Sequence, residues 1–292
     1  MPLEVGPEIS FEEHRPMLLG LGYRLLGSMW DAEDVVQEAY LRWLRADRSE
    51  IREPRAFLVT VVSRLALDQL RSARVTREAY PGPWLPEPVS ADTFGPADTA
   101  ELRDSLSYAT LHLMERLSPP ERAVFVLREA FDLPYEDIAD IVGSSIPNCR
   151  QLHRRAAKRL ADGRDRFHPS ATEHGELLTR FLDAARSGDL AELRELLSDN
   201  VVAYNDGGGK VRAALEPIVG IGAVLAFVEW LQANAPIDEA HIIEVNGEPA
   251  AWTRRGDHEQ LLTLEIWDGR IQALYGILNP DKLSHARELP RN

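Results

Sequence analysis

The stretch SPPERAVFVLREAFDLPYEDIADIVGSSIPNCRQLHRRAAKRL, residues 118–160, decides the architecture of the first half of the chain. Within it, PYEDIADIV turns Ile138, Ala139 and Val142 to one face. Gly143 supplies a tight turn. Ser144 or Ser145 caps the next helix, and Pro147 falls in its first turn, where a missing N–H costs little. The second helix then directs Cys149, Leu152, Ala156 and Leu160 inward and Asn148, Arg150, Gln151, Arg154 and Arg155 outward. That is a helix-turn-helix signal. Its outward residue types bond base edges and phosphates in a major groove.

Upstream, MLLGLGYRLLGS and AEDVVQEAYLRWLRA carry apolar residues three and four apart, so residues 11–74 read as helices. Asp31 is read as the N-cap of the second, with Asp34 three residues on. RAFLVTVVSRLALDQLRSAR, after Pro54, is apolar on one face and arginine-bearing on the other. Five prolines (Pro81, Pro83, Pro86, Pro88 and Pro96) then mark a linker. It contains WLPEP, residues 84–88, and free linkers seldom expose a Trp, so this piece is expected to dock. Beyond residue 170, ELLTRFLDAARSGDLAELRELLSD predicts two helices broken at SGD, with Ser187 or Asp189 as cap, and VVAYND a strand. GIGAVLAFVEWLQANA predicts a third helix. AHIIEV, AAWTRR and QLLTLEIWDGRIQALYGIL predict strands, with Asn246-Gly247 and Asp268-Gly269 as hairpin turns. Helices followed by a curled antiparallel sheet make an α+β cone.

The formal charge of −14 over 292 residues argues at face value against nucleic acid, but its distribution does not. Residues 52–77 hold six Arg against Glu53 and Asp68, and residues 150–166 hold seven basic residues against Asp162 and Asp165. Residues 171–292 hold 11 basic and 20 acidic residues. Two basic patches in an acidic chain suit local contact with DNA. The single cysteine, Cys149, excludes an internal disulfide framework and is read as structural. The N-terminus is not a signal peptide and no apolar run reaches membrane-spanning length, so a soluble, cytoplasmic protein with no membrane contact is expected.

YRLLGSMWDAEDVVQEAYLRW, residues 23–43, resembles region 2 of an extracytoplasmic-function (ECF) sigma factor, and residues 117–160 resemble its region 4. The part after residue 170 is similar to the SnoaL-like, NTF2-like domain that one ECF group carries. WLPEP, DGGGK (206–210) and NPDKL (279–283) match three further motifs of that group. The expected organisation is region 2 over 8–78, a Pro-rich interdomain linker over 79–104, region 4 over 105–166 and the cone over 172–284. The fold class is thus two all-α domains followed by an α+β cone.

The resemblance implies a non-enzymatic factor that lends promoter specificity to core RNA polymerase, with no cofactor and no metal. It implies that Asp31, Glu33, Asp34, Gln37 and Glu38, around apolar Val35, Tyr40 and Leu41, dock on the clamp of the largest polymerase subunit. Arg55, Ser63, Arg64, Arg71 and Arg74 would contact the −10 element, Ser63-Arg64 departing from the Asn often found in the base-capturing loop. Asn148, Arg150, Gln151 and Arg154 would read the −35 element, with Arg155, Lys158 and Arg159 on phosphates.

For the cone, three roles are in view. The first is regulation by contact, in place of a separate anti-sigma factor. The second is a pocket for a small ligand. The third is a retained activity using Asp206, Tyr204, Asn205 or His241 as acid or base, in a ligand-responsive DNA-binding regulator or enzyme. The segment YNDGGGKVRA, 204–213, is no phosphate loop: Tyr204 replaces the first glycine, and Val211 the hydroxyl residue after Lys210. It is read instead as a latch, joining Asp206, Gly207, Gly208, Gly209 and Lys210 to Trp84, Leu85 and Pro86, with Asn279, Pro280, Asp281 and Lys282 nearby.

Overall fold

The computed structural model describes residues 11–47, 49, 51–94, 107–164 and 170–288. The helical patterns of the first half become α1 (Arg15–Leu26), α2 (Met29–Arg45), α3 (Pro54–Glu78), α4 (Tyr108–Met114), α5 (Pro119–Glu129), α6 (Tyr135–Val142) and α7 (Ile146–Arg164). The cap of α2 is Ser28, whose hydroxyl accepts from the Asp31 N–H at 3.2 Å; Asp31 lies inside the helix and receives the Gln69 amide at 2.7 Å. The reading of Asp31 as N-cap is corrected accordingly. A capping box of Ser118 and Glu121 starts α5. Gly143 ends α6 at φ 69°, and Ser145 accepts from the Asn148 N–H at 3.3 Å to open α7. The helix-turn-helix thus has the turn its sequence specifies.

The described residues fall into two compact units. One holds residues 11–78, 91–94 and 110–164; the other holds 79–90, 107–109 and 170–288. In the first unit, Gly22 lets α1 approach α2, since a Cβ there would meet Ala32 at 3.1 Å. A buried arginine, Arg122, crosses the bundle. Arg122 Nε of α5 donates to the Arg24 carbonyl of α1 at 3.0 Å, and its Nη1 binds the Glu115 carboxylate. On the same unit, Arg64 Nη2 of α3 donates to the Asp140 carbonyl of α6 at 3.0 Å. The segments read as regions 2 and 4 therefore pack directly on one another.

The second unit is the cone. Its helices are α8 (Ala171–Ser187), α9 (Leu190–Leu196) and α10 (Ile221–Asn234), and its strands are β1 (Leu197–Asp206), β2 (Ile218–Val219), β3 (Glu239–Val245), β4 (Glu248–Arg255), β5 (His258–Trp267) and β6 (Arg270–Ile277). Asp189 caps α9, and Ser170 with Glu173 boxes the start of α8. Asn246-Gly247 and Asp268-Gly269 both have positive φ at the two turn positions, as the hairpins require. The strand order is β2-β1-β6-β5-β4-β3. Contrary to the all-antiparallel expectation, β1 runs parallel to β6, with Tyr204 opposite Tyr275 and Asp206 opposite Ile277.

Both faces of this sheet are apolar, so each needs a cover. On one face Val201, Ala203, Ala251, Leu264 and Leu274 pack under Leu178, Phe181 and Val224 of the helices. On the other, Ala250, Trp252, Leu261, Tyr275 and Ile277 pack against Leu85, Tyr108 and Leu283. The proline-rich segment 79–90 is thus a covering layer of the cone rather than a free tether.

Candidate nucleic-acid interface and linker latch

In α7 all six residues assigned to the −35 element are exposed: Asn148, Arg150, Gln151, Arg154, Arg155 and Lys158. At 3.6 residues per turn they share an arc of about 160°. Cys149, Ala156 and Leu160 are buried on the opposite side. Burial raises the Cys149 thiol above its usual range, which keeps it protonated and inert. The Asn148 amide is held by Ser144 Oγ at 2.8 Å, and the Arg150 guanidinium stands 5.5 Å from the Tyr135 ring centre. Arg159 is engaged instead with Glu121 at 2.7 Å.

Along α3, Arg55, Arg64 and Arg71 are exposed, but Ser63 is 0% exposed, its hydroxyl turned into the bundle. Ser63 is therefore withdrawn from the base-capturing set: it sits on the apolar arc beside Val62 and Ala66. Arg64 and Arg71, seven residues apart, share a face, whereas Arg55 falls on the opposite side. The side chain of Arg74 lies outside the described residues.

On α2, Asp34 and Gln37 are exposed, Asp31, Glu33 and Glu38 are half-buried, and Glu38 pairs with Arg42 at 2.9 Å. Val35 is core and Tyr40 packs on Phe11 at 4.9 Å, so of the apolar centre expected there only Leu41 stays on the surface. The centre is supplied by Trp30 (54% exposed), Leu41 and Leu44, which alternate with Asp34 and Gln37 along one stripe. The three-and-four spacing from Trp30 to Leu44 was present in the sequence, but only packing tells which apolar stripe is left outside.

Asp206 is the centre of the latch. It is 0% exposed at the end of β1. Its Oδ1 accepts from Tyr80 Oη at 2.6 Å and from the Gly208 N–H at 3.1 Å. Its Oδ2 accepts from the Leu85 N–H at 2.9 Å and pairs with Lys282 Nζ at 2.6 Å. Lys282 also donates to the Leu85 carbonyl at 2.6 Å and lies 4.0 Å from the Trp84 ring centre. Burial, with Asp206 beside it, raises the Tyr80 hydroxyl above its usual range. Further along, Tyr108 Oη donates to the Pro86 carbonyl at 2.6 Å, His285 meets the buried Glu87 at 2.7 Å, and Asn246 N donates to the Val89 carbonyl at 2.8 Å.

The glycines follow from close approach. A Cβ on Gly209 would lie 2.8 Å from Pro81, and one on Gly208 (φ 59°) would land on the Asn279 amide, which donates to Tyr80 Oη at 2.9 Å. Lys210 takes no part in the clasp; it pairs with Asp281 at 2.5 Å on the surface. The latch residues all belong to the second unit, so they clasp linker to cone. Gly208→Ala is expected to cost the clasp about 2 kcal/mol or more, part of it from positive φ alone, and to strip hydrogen-exchange protection from the Leu85 amide. Gly143→Ala, where a Cβ meets nothing within 4 Å, leaves that amide protected.

Of the residues considered for acid–base work, Asp206 faces the linker, and His241 pairs with Glu239 at 2.7 Å on β3. Tyr204 and Asn205 do line a cavity of about 50 Å³ between sheet and helices. Among the described residues that cavity has no Asp, Glu or His in its lining.

The sigma-70 region 2 family model matches residues 10–76, and the sigma-70 region 4 model matches residues 108–160. The chain is 36% identical to the ECF RNA polymerase sigma factor SigJ of Mycobacterium tuberculosis over 297 residues, covering 95% of this chain and 93% of that protein. It is also 36% identical to the probable ECF RNA polymerase sigma factor SigI of the same species, covering 95% of each. The crystal structure of M. tuberculosis SigJ superposes with a TM-score of 0.75 at 33% identity, covering 94% of this chain and 97% of that one.

Proposed function

The chain belongs to the extracytoplasmic-function RNA polymerase sigma factors, and from that premise we propose that it directs promoter-specific initiation while its own cone holds it at rest. The outer stripe of α2, with Asp34 and Gln37 among Trp30, Leu41 and Leu44, docks on the clamp of the polymerase core. The face of α3 bearing Arg64 and Arg71 grips the −10 element. The arc on α7 reads the −35 element: Asn148 and Gln151 suit adenine, Arg150 and Arg154 suit guanine, and Arg155 and Lys158 hold phosphate. Bond making belongs to the polymerase, so this role asks for no chemistry from the chain.

The observation that carries the regulatory half is the buried Asp206–Lys282 clasp on the linker. Elements near −10 and −35 lie about 25 base pairs apart, or ~85 Å along B-DNA. The linker 79–104 reaches ~90 Å only when fully extended. In this structure residues 80–89 lie on the sheet, Phe94 stacks on Tyr23 at 5.4 Å, and Arg122 ties α5 to α1. The clasped linker and the packed helices thus oppose the same extended state. Opening the clasp is the activating step.

The test is transcription by purified core polymerase with the full-length chain. A discrete promoter start is expected, and Gln151→Ala or Arg150→Ala should lower it about tenfold, the worth of one bidentate base contact. Absence of any promoter-specific start refutes the assignment.

A further inference from the structure

The cavity of the cone carries polar groups that the clasp does not use. Asn205 is 7% exposed, and its Nδ2 is buried with no hydrogen-bond partner. Arg255 Nε is likewise buried and without a partner, although the same guanidinium donates through Nη1 to the Ala235 carbonyl. Both residues line the cavity, with Gln260 and Gly276 between them. A Cβ on Gly276 would lie 2.6 Å from Gln260 Nε2 and 2.9 Å from Asn205 Oδ1, so the missing side chain leaves the polar floor open. The remaining walls are apolar, chiefly Phe181, Phe227, Leu231 and Leu262.

A buried donor without a partner is costly, and two on one cavity point to an acceptor that is absent when the cavity is empty. Arg255 is the charged residue of the described lining, and no carboxylate shares that lining with it. Asp238 is the acidic group that acts on it, favouring the charged form from outside the cavity lining, while its Oδ2 accepts from the Gly256 N–H at 2.6 Å. Burial lowers the guanidinium from its usual value, as for a charge short of compensation.

We infer that the cone binds a small apolar carboxylate, its oxygens taken by Arg255 Nε and Asn205 Nδ2 and its alkyl part by the Phe181 and Phe227 side. A volume of about 50 Å³ admits about four water-sized groups, which sets the size at a short-chain acid. A neutral molecule of the same shape brings the arginine no carboxylate within the cavity. The inference stands on the cone alone and does not depend on the promoter assignment. Asn205 and Asp206 are consecutive, so cavity and clasp share one end of β1.

The test is calorimetric titration of the full-length chain, without polymerase, using propionate, isobutyrate and isovalerate against isobutyramide. Saturable binding of at least one acid at about millimolar concentration or tighter is expected, with isobutyramide at least about tenfold weaker. Arg255→Gln should weaken the acid about tenfold or more, and Asn205→Ala should weaken it less, each with an unchanged unfolding midpoint. Where Arg255→Gln disturbs folding, Asn205→Ala and the acid–amide comparison decide. No saturable binding of any acid, equal binding of acid and amide, or full affinity in both folded variants overturns the inference.

Discussion

Asp206→Ala releases the linker from the cone. The substitution leaves Lys282 Nζ, a largely buried cation, facing the linker without its carboxylate, and strands the Leu85 N–H and the Tyr80 hydroxyl. Removing one partner of a buried pair costs about 3–5 kcal/mol, more than any single remaining contact of residues 80–89 offsets. Hydrogen exchange at Leu85 and Val89 should accelerate by more than a hundredfold, at about 1.4 kcal/mol per factor of ten. Asp206→Asn keeps the shape but loses the charge, and should fall between the two. Unchanged exchange at Leu85 in Asp206→Ala would show that the apolar cover alone holds the linker.

Arg122→Met separates the helices assigned to region 2 from those assigned to region 4. Arg122 is fully buried, and it is the group that ties α5 to the end of α1. Its loss removes the guanidinium contact to the Glu115 carboxylate and the donor to the Arg24 carbonyl, at a cost on the order of the 3–5 kcal/mol for breaking a buried pair. Small-angle scattering should report a larger radius of gyration at unchanged helix content. If the packed form is the resting one, as proposed, promoter-specific output should also rise. If the dimensions stay unchanged and the helices stay intact, the packing does not depend on Arg122.

Local rules made much of this architecture legible. Spacing placed the helices, Gly143 and Ser145 placed the turn before α7, and Asn-Gly and Asp-Gly placed two hairpins. The six residues of the α7 arc needed only the helical period. What stayed hidden depends on partners distant in sequence. The parallel pairing of β1 with β6 joins strands more than sixty residues apart, and an apolar alternation does not encode direction. Ser63 reads as polar and outward, yet it belongs to the arc of α3 that the bundle covers. Arg24 and Arg122 break the rule that arginine lies outside, and no pattern marks that exception.

The linker shows the same limit. Its prolines look like a tether because tethers and extended covering segments share composition. The Trp signalled docking, but Trp84 is only half-buried, and the deep anchor is its neighbour Leu85. Asp206 and the glycines were visible as an oddity. Their meaning required Lys282, 76 residues on, and Tyr80, 126 residues back.

The proposed restraint is the hold of the cone on the linker of a promoter-specificity factor. The most direct measurement is transcription in vitro from one promoter, with core polymerase and equal amounts of full-length wild-type chain and Asp206→Ala. A start site shared by both is expected, with output at least about fivefold higher from the variant, the effect of roughly 1 kcal/mol of lost restraint. Equal or lower output from a folded Asp206→Ala chain would contradict it.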